Sequence, residues 1–454
     1  MIKMTLNEIA ANVNGTLIGG DAEIFGVSID TRTLQAGQLY IAIEGKNFDG
    51  HDFVSAAQQA GAIAVLTHKT LTTELPQIWV NDTHLALAEL AGVWRKKLPV
   101  KVIGVTGSNG KTTTKEMLAA ILGIHDDVLF TQGNLNNDIG VPLTLFKLSP
   151  EHRYAVIEMG ANHVGEIAYT SRFTQADVAI ITNVGAAHLE GFGSLDGVAQ
   201  TKGEIIETLD ENGTAILNRD DAYFDFWQKI AGSRKIISFG LNENADIRAE
   251  NIDVKIENGR FITSFDLKTA QEEITVNLPL AGNHNVLNAL ASTAATLEIG
   301  ISLAQIKQGL ENMLPVNGRL QLVRGRLGNW IINDTYNANV ASLNAALEVL
   351  VKCDGEHWVI LGAFGELGEN SQQLHFEMGN TLKNYGVKRL FAVGELTKQT
   401  VVAFGGNAQH FASQNELLAT LEPKLTGNET ILIKGSRSQR MENITTALVE
   451  PTGF

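Results

Sequence analysis

Residues 102–118 read VIGVTGSNGKTTTKEML, and their reading decides the class of fold. The apolar run from Val102 to Val105 has the length and branching of a buried strand, and a glycine-rich turn follows it. Lys111 and three threonines then open an amphipathic helix. Strand, glycine loop, lysine and helix in that order make a cradle for a triphosphate. Gly107 and Gly110 let the backbone turn its N–H groups toward phosphate oxygens, and Lys111 reaches the terminal phosphates. Thr112 offers a hydroxyl to Mg²⁺, and Ser108, Asn109 and Thr113 complete the set of candidate contacts. The spacing departs from G-x-x-x-x-G-K-[ST], because position 105 is valine, so T-G-S-N-G-K-T is a compact variant of that loop.

Outward from the loop, short apolar runs alternate with helical sequence. RYAVIEMG (153–160), DVAIITNVG (177–185), TAILN (214–218) and KIISFG (235–240) predict βαβ units around a parallel sheet. ADIRAENIDVKI, FITSFDL and EEITVNL between residues 245 and 280 alternate instead, which predicts a small antiparallel excursion. A helix from about Asn285 and another near Leu303–Met313 close this segment. After Pro315 the pattern resumes with HWVILG, RLFAVG and ETILIKG, a second open parallel sheet of Rossmann-like type. Before the loop, MIKMTLNEIAANVNG reads as a helix without the apolar core of a signal peptide. VSIDTRTLQAGQLYIAIEG suggests strands, and GHDFVSAAQQAGAIAVLT a helix running into a buried strand. A linking helix, His84–Lys97, leads onward. The expected class is therefore α/β with three domains: 1–82, 83–314 around the phosphate loop, and 315–454.

With 454 residues, about three domains of ~100–200 residues each are natural. The formal charge of −15 argues against nucleic acid or an anionic membrane as partner, since both require a broad basic surface. No apolar run approaches the ~20 residues of a membrane span. One cysteine, Cys353, allows no intrachain disulfide, which suits a reducing compartment. A cytoplasmic protein is expected, and nothing requires an oligomer, so a monomer is the expectation.

TGSNGKTTTKE resembles the ATP loop of the Mur ligases and of their folylpolyglutamate synthetase relatives. The resemblance continues in order through NLNNDIGVP (134–142), IEMGANHVGEI (157–167), TNVGAAHLEGFGS, TKGEI, AGNHNVLNALAS, NGRLQ, DTYNANVAS and KGSRSQRME, and so covers most of the chain. Within the family the segments DTYNANVAS, GAFGELGENS and KGSRSQRME are most similar to the branch that adds D-alanyl-D-alanine to a UDP-linked muramoyl tripeptide. The D-N-P-R motif expected of the branch adding the third-position diamino acid is absent, and a folylpolyglutamate synthetase is not expected to carry the N-terminal SIDTR and GKNFDGHDF.

The reaction this implies is amide formation from a carboxylate that ATP first converts to an acyl phosphate, in peptidoglycan precursor synthesis. Lys111 and the metal would neutralise the charge on the phosphates. By resemblance Glu158, at a strand end, ligates Mg²⁺; His188 holds a second ion; and Lys202, ordinarily a solvated lysine at a helix start, becomes carbamylated and supports metal binding. The resemblance also places Asn285 at the adenine or phosphates, Arg319 at the phosphates and Asp334 at the ribose. The last two belong to the third segment, so they reach ATP only if that domain closes. Ser28, Asp30 and Arg32 resemble the family's grip on the uridine nucleotide. Asn134, Asn136 and Asn137 can hydrogen-bond sugar or pyrophosphate, though they are also ordinary loop formers. Lys434 and Arg437 could attract peptide carboxylates. Two other readings stay open here: another amide ligase of the superfamily, or a P-loop switch or kinase without ligase chemistry.

Overall fold

The structure, a computed structural model, describes residues 2–185 and 189–449. The phosphate-loop strand, Lys101–Thr106, lies inside a nine-stranded sheet, flanked by Tyr154–Glu158 on one side and Val178–Ile181 on the other. Both neighbours run parallel to it, as do Thr214–Asn218 and Lys235–Gly240 beyond. Helices cover both faces of this sheet, which is why its strands are continuous apolar runs rather than alternating ones. The expected antiparallel excursion is present as Ile247–Glu257, Arg260–Lys268 and Glu273–Leu278. These three strands extend the sheet at one edge.

The N-terminal unit is a five-stranded sheet in the order Thr16–Ile18, Gln77–Trp79, Ala64–Thr67, Leu39–Ile41, Val27–Ser28, parallel except for its first pair. The opening helix is shorter than the sequence suggests. Met4–Thr5 pairs as a strand with Glu23–Ile24, and the helix occupies Leu6–Asn12 with Thr5 as its cap. The linking helix runs Thr83–Lys96. Asp82 starts it by accepting hydrogen bonds from the His84 and Leu85 N–H groups at 2.8 and 3.0 Å, a cap worth about 1 kcal/mol. Trp94 of this helix donates its indole N–H to the Leu148 carbonyl at 3.1 Å, and Ala86, Leu87 and Leu90 share one apolar cluster with both Ile78 and Ile157. The N-terminal and central units are thus joined by a continuous core.

The third unit carries a six-stranded sheet in the order Gln321–Arg324, Trp330–Asp334, Glu429–Lys434, Glu356–Gly362, Arg389–Val393, Ala408–Phe411. Only the first strand is antiparallel. The sequence does not signal three of these strands: in Trp330–Asp334 the apolar run is only Trp330–Ile332 between polar residues, and Gln321–Arg324 and Ala408–Phe411 lie at the two edges with mixed composition. Phe261 and Ala281 of the central unit lie in one apolar cluster with Leu320, Ile332 and Leu343 of the third. That contact docks the third sheet with its strand ends toward the phosphate loop. Among the described residues no helix is long and apolar enough to cross a membrane.

Candidate active site

The phosphate loop turns where its glycines permit. Gly107 has φ +145°, and a Cβ there would sit 1.9 Å from the Thr182 hydroxyl; Gly110 has φ +84°, and its Cβ would sit 2.3 Å from the Asn288 side-chain oxygen. Both positions therefore exclude any side chain. Lys111 begins the helix Lys111–Leu122 and folds its ammonium back onto the Gly107 carbonyl at 2.6 Å. Enclosure by protein pushes its pKa below the ordinary lysine value, and Arg319 nearby acts in the same direction while Glu158 opposes it. The loop is bolted to the turn after the neighbouring strand. The Ser108 N–H donates to the Asn183 carbonyl at 2.9 Å, the Asn109 N–H to the Asn183 side chain at 3.0 Å, and the Thr182 hydroxyl to the Asn109 carbonyl at 2.6 Å. Thr182 and Asn183 stood within a quoted motif, but their clamping role depends on strand order, which the local sequence does not contain.

Glu158 ends its strand almost completely buried, at 2% exposure. One carboxylate oxygen accepts from the Asn136 amide at 2.8 Å, while the other, Oε2, has no hydrogen-bond partner among the described residues. A buried carboxylate oxygen without a donor is costly unless something positive meets it. The Thr112 hydroxyl lines the same cavity, so an oxygen-preferring cation such as Mg²⁺ fits this donor set. Among the described residues no group of three or more His, Cys, Asp and Glu side chains is clustered for a metal. His188, expected as a second ligand, lies outside the described residues. Lys202 is buried in the helix Leu195–Glu207, at 2% exposure. Burial first, and the Lys111 charge second, push its ammonium pKa down to about 7.

Asn134 and Asn137 line this cavity beside Asn136, and Asn137 also accepts the Gly140 N–H at 2.9 Å to start the next helix. Asn285 and Asn288 are buried on the helix Asn283–Glu298, linked side chain to side chain at 3.2 Å. Neither Asn283 nor Asn285 caps it; the cap position belongs to Gly282, with φ +90°, and the Asn285 amide instead donates to the Ala281 carbonyl at 2.8 Å while the residue lines a second cavity with Thr113.

The third unit closes the cleft directly. Arg319 donates from Nη2 to the Thr112 hydroxyl at 2.9 Å, and Asn339 donates its amide to the Asn109 side chain at 2.7 Å. Arg319 also stacks over the Tyr336 ring at 4.3 Å. Asp334 accepts from the Leu320 N–H at 3.2 Å and from the Lys434 ammonium at 2.5 Å, and Lys434 donates further to the Asn337 carbonyl at 3.2 Å. Lys434 is thereby held by the protein's own acid, whereas Arg437 stays exposed and pairs with Glu442 at 3.1 Å. The result is a cavity of about 850 Å³ lined by Lys111, Glu158, Asn136, Arg319 and Arg437. A smaller one of about 260 Å³, lined by Asn285, Thr113 and His284, shares Asn109, Gly110, Arg319, Asp334 and Ser342 with it. The sequence missed Asn339, although it sits in DTYNANVAS: an asparagine before a helix reads as a cap, which it also is.

Ser28, Asp30 and Arg32 line neither cavity. The Ser28 hydroxyl donates to the Asp30 carbonyl at 3.0 Å, and Arg32 grips the Asp30 carboxylate through Nε at 2.9 Å and Nη2 at 2.6 Å. The pair is exposed, and the guanidinium holds the Asp30 carboxyl down at about pKa 2.

Three family models match the chain in succession: the Mur ligase family catalytic domain over residues 23–95, the Mur ligase middle domain over 105–296, and the Mur ligase glutamate ligase domain over 318–437. The chain is 44% identical to the UDP-N-acetylmuramoyl-tripeptide--D-alanyl-D-alanine ligase of Escherichia coli K12, over 99% of both chains. Its fold superposes on a crystal structure of MurF from Acinetobacter baumannii with a TM-score of 0.93 at 36% identity, covering 98% of this chain and 99% of that one. MurF ligase from Thermotoga maritima, solved in complex with ADP, matches with a TM-score of 0.84 at 29% identity, over 93% of this chain and 96% of that one. A phosphate loop closed over by a third α/β unit and a likeness running the whole length of the chain have one explanation: this protein belongs to the Mur ligase family.

Proposed function

We propose that the chain is the ATP-dependent ligase that joins D-alanyl-D-alanine to a UDP-N-acetylmuramoyl-tripeptide, in peptidoglycan precursor synthesis in the cytoplasm. The observation that carries this is the single cleft in which Lys111, the orphaned Glu158 oxygen, and Arg319 and Asp334 of the third unit meet. The similarity to the Escherichia coli ligase supplies the substrates. We take the division at 82/83 and 314/315 as a functional one: nucleotide precursor on the first unit, ATP on the second, closure and amine supply from the third.

In the first step a tripeptide carboxylate oxygen attacks the γ-phosphorus of ATP, forming an acyl phosphate and releasing ADP. The dipeptide amine then attacks the acyl carbon, phosphate leaves, and the nitrogen gives up a proton. Gly107, Ser108, Asn109, Gly110, Lys111, Thr112 and Thr113 hold the phosphates, and Lys111 and Arg319 offset the charge that shifts toward the β–γ bridge. Asn285 holds the adenine or the phosphates, and Asp334 the ribose. Thr112 and Glu158 would hold one Mg²⁺, and His188 with carbamylated Lys202 a second; the metal supplies Lewis-acid neutralisation of the transferred phosphoryl group. Carbamylation needs a neutral amine to add to CO₂, giving a carbamate and a proton. A lysine whose pKa is about 7 presents much of that amine at neutral pH. Ser28 and Arg32 take the uridine nucleotide, with Asp30 holding the Arg32 guanidinium until the nucleotide displaces it; Asn134, Asn136 and Asn137 take the sugar or pyrophosphate, and Arg437 and Lys434 the peptide carboxylates. A monomer suffices for all of these contacts.

The test is ADP release with Mg²⁺, ATP and the UDP-linked tripeptide, with and without D-alanyl-D-alanine. Release that needs both substrates, with a matching mass gain on the nucleotide, supports the reading. Release indifferent to the dipeptide, or supported by a different amine, would move the chain to another branch of the family.

A further inference from the structure

Lys115 lies one helical turn beyond Lys111, on the same face of the phosphate-loop helix. It is 1% exposed, among the largest fully buried side chains in the protein, and its stem runs beside the Phe130 ring with the ammonium 5.4 Å from the ring centroid. An apolar side chain of that length would fill the same space without the cost of burying a charge. The ammonium donates to the Thr131 carbonyl at 2.7 Å and forms an ion pair with the Glu116 carboxylate at 2.7 Å.

Thr131 is the residue through which this matters. Its N–H donates to the Val156 carbonyl at 3.1 Å, and its hydroxyl accepts the Glu158 N–H at 3.0 Å. Beyond it the chain turns through Asn134 to Asn136, whose amide meets Glu158 Oε1 at 2.8 Å and whose carbonyl accepts the Gly160 N–H at 2.8 Å. The backbone and one carboxylate oxygen of Glu158 are therefore both set by the segment that starts at Thr131. Lys115 is the tie between that segment and the helix carrying Lys111 and Thr112.

We propose that Lys115 is a positioning residue: its buried ammonium fastens Thr131 to the phosphate-loop helix and thereby fixes the Glu158 carboxylate relative to Thr112. This rests on the reading of Glu158 and Thr112 as ligands of a divalent cation. Outer partners of metal ligands typically change metal affinity by about 10–100-fold when removed, without touching the ion themselves.

The experiment measures Mn²⁺ binding by the electron paramagnetic resonance of the free ion, in the full-length protein with a non-hydrolysable ATP analogue. Circular dichroism of each variant checks folding. Glu158→Gln should weaken Mn²⁺ strongly; if it does not, the metal reading falls and the role of Lys115 falls with it. With that control in place, Lys115→Met should weaken Mn²⁺ by about tenfold, and Lys115→Arg, which keeps a cation at that point, should recover much of the loss. Thr131→Val keeps the carbonyl that Lys115 uses but removes the hydroxyl that receives the Glu158 N–H. It should reproduce the loss of affinity and decides the matter if Lys115→Met does not fold. A folded Lys115→Met or Thr131→Val protein with wild-type Mn²⁺ affinity, beside a weakened Glu158→Gln, would overturn the proposal while leaving the metal site intact.

Discussion

Two acid–base pairs, Asp334 with Lys434 and Asp30 with Arg32, were all read from the sequence as contacts to nucleotide or substrate, and the structure treats them oppositely. Asp334 and Lys434 meet at 2.5 Å with side chains 12% and 1% exposed, at the ends of adjacent parallel strands. Asp30 and Arg32 meet at 2.6 Å on an open turn, with the arginine side chain 86% exposed. The first pair is part of the wall of the cleft, since neither charge can turn to water if the other is removed. The second pair can exchange partners at little cost, because water already compensates both ions. A ligand near Asp334 must accept the wall as built, whereas a polyanionic ligand near Arg32 competes with Asp30 for the guanidinium.

The largest effect expected from this contrast is structural. Asp334→Ala leaves the Lys434 ammonium buried with only the Asn337 carbonyl, and breaking a buried pair costs about 3–5 kcal/mol. Urea denaturation should show that loss, concentrated in the third unit. A variant as stable as the parent would mean that the pair is wetter than its burial indicates. Asp334→Ala with Lys434→Met should recover most of the stability, because no uncompensated charge remains.

Next comes the charge at the phosphates. Lys111→Met should lower kcat by roughly 10²–10³, the range for removing one group that meets charge developing in a transition state. The protein should still fold, since among the described residues the Lys111 ammonium hydrogen-bonds only to the loop carbonyls of Gly107 and Ser108. ADP formation at an unchanged rate would remove Lys111 from the chemistry.

Lys202→Ala follows, with an expected loss of roughly 10–100-fold that short carboxylic acids partly restore by replacing the carbamate. The sign of its pH dependence comes from burial. With the pKa lowered to about 7, the reactive amine is scarce below pH 7 and predominant above it. Activity recovered by adding bicarbonate to CO₂-depleted enzyme should therefore rise with pH through about 7 and level off. Recovery that is flat across that range, or a Lys202→Ala variant of full activity, would sink the carbamate.

The same contrast separates what was legible in the sequence from what was not. The phosphate loop was readable because its requirements are backbone requirements: two glycines, a lysine and a helix start must be adjacent in the chain. The alternation of apolar runs likewise disclosed the parallel sheet of the second unit, three strands of the sheet in the third, and the antiparallel strands of residues 247–278, while the parallel pairing of the N-terminal sheet stayed unread. Contacts made across the cleft were not readable in any local pattern, and only the family resemblance placed Arg319 and Asp334 opposite the phosphate loop. Asn339 reaches Asn109 across 230 positions and Arg319 reaches Thr112 across 207, and no local pattern encodes either approach. Lys115 was passed over for a related reason. A lysine on an amphipathic helix is ordinarily solvated, and only the packing of Phe130 and Thr131 against it shows otherwise. The commitment of Lys434 to Asp334 was hidden too, since a basic residue after a strand looks the same whether or not a neighbouring strand supplies an acid.

The smallest effect belongs to the exposed pair, and it tests the competition most directly. Arg32→Ala should leave stability unchanged and raise KM for the UDP-linked substrate severalfold, with KM for ATP unaltered. Asp30→Asn should do the reverse: the guanidinium, released from its partner, becomes freely available to a phosphate, and KM for the same substrate should fall. Added salt should narrow both differences, because charges this exposed are screened over a Debye length of about 8–10 Å at ordinary ionic strength. Since the Asp30 carboxyl is held at about pKa 2, the pair remains fully charged from pH 5 upward and should contribute no pH dependence there. If instead Arg32→Ala and Asp30→Asn raise KM alike, Asp30 is itself a contact of the substrate. The turn would then be a built site like the cleft, with its acid and base acting together.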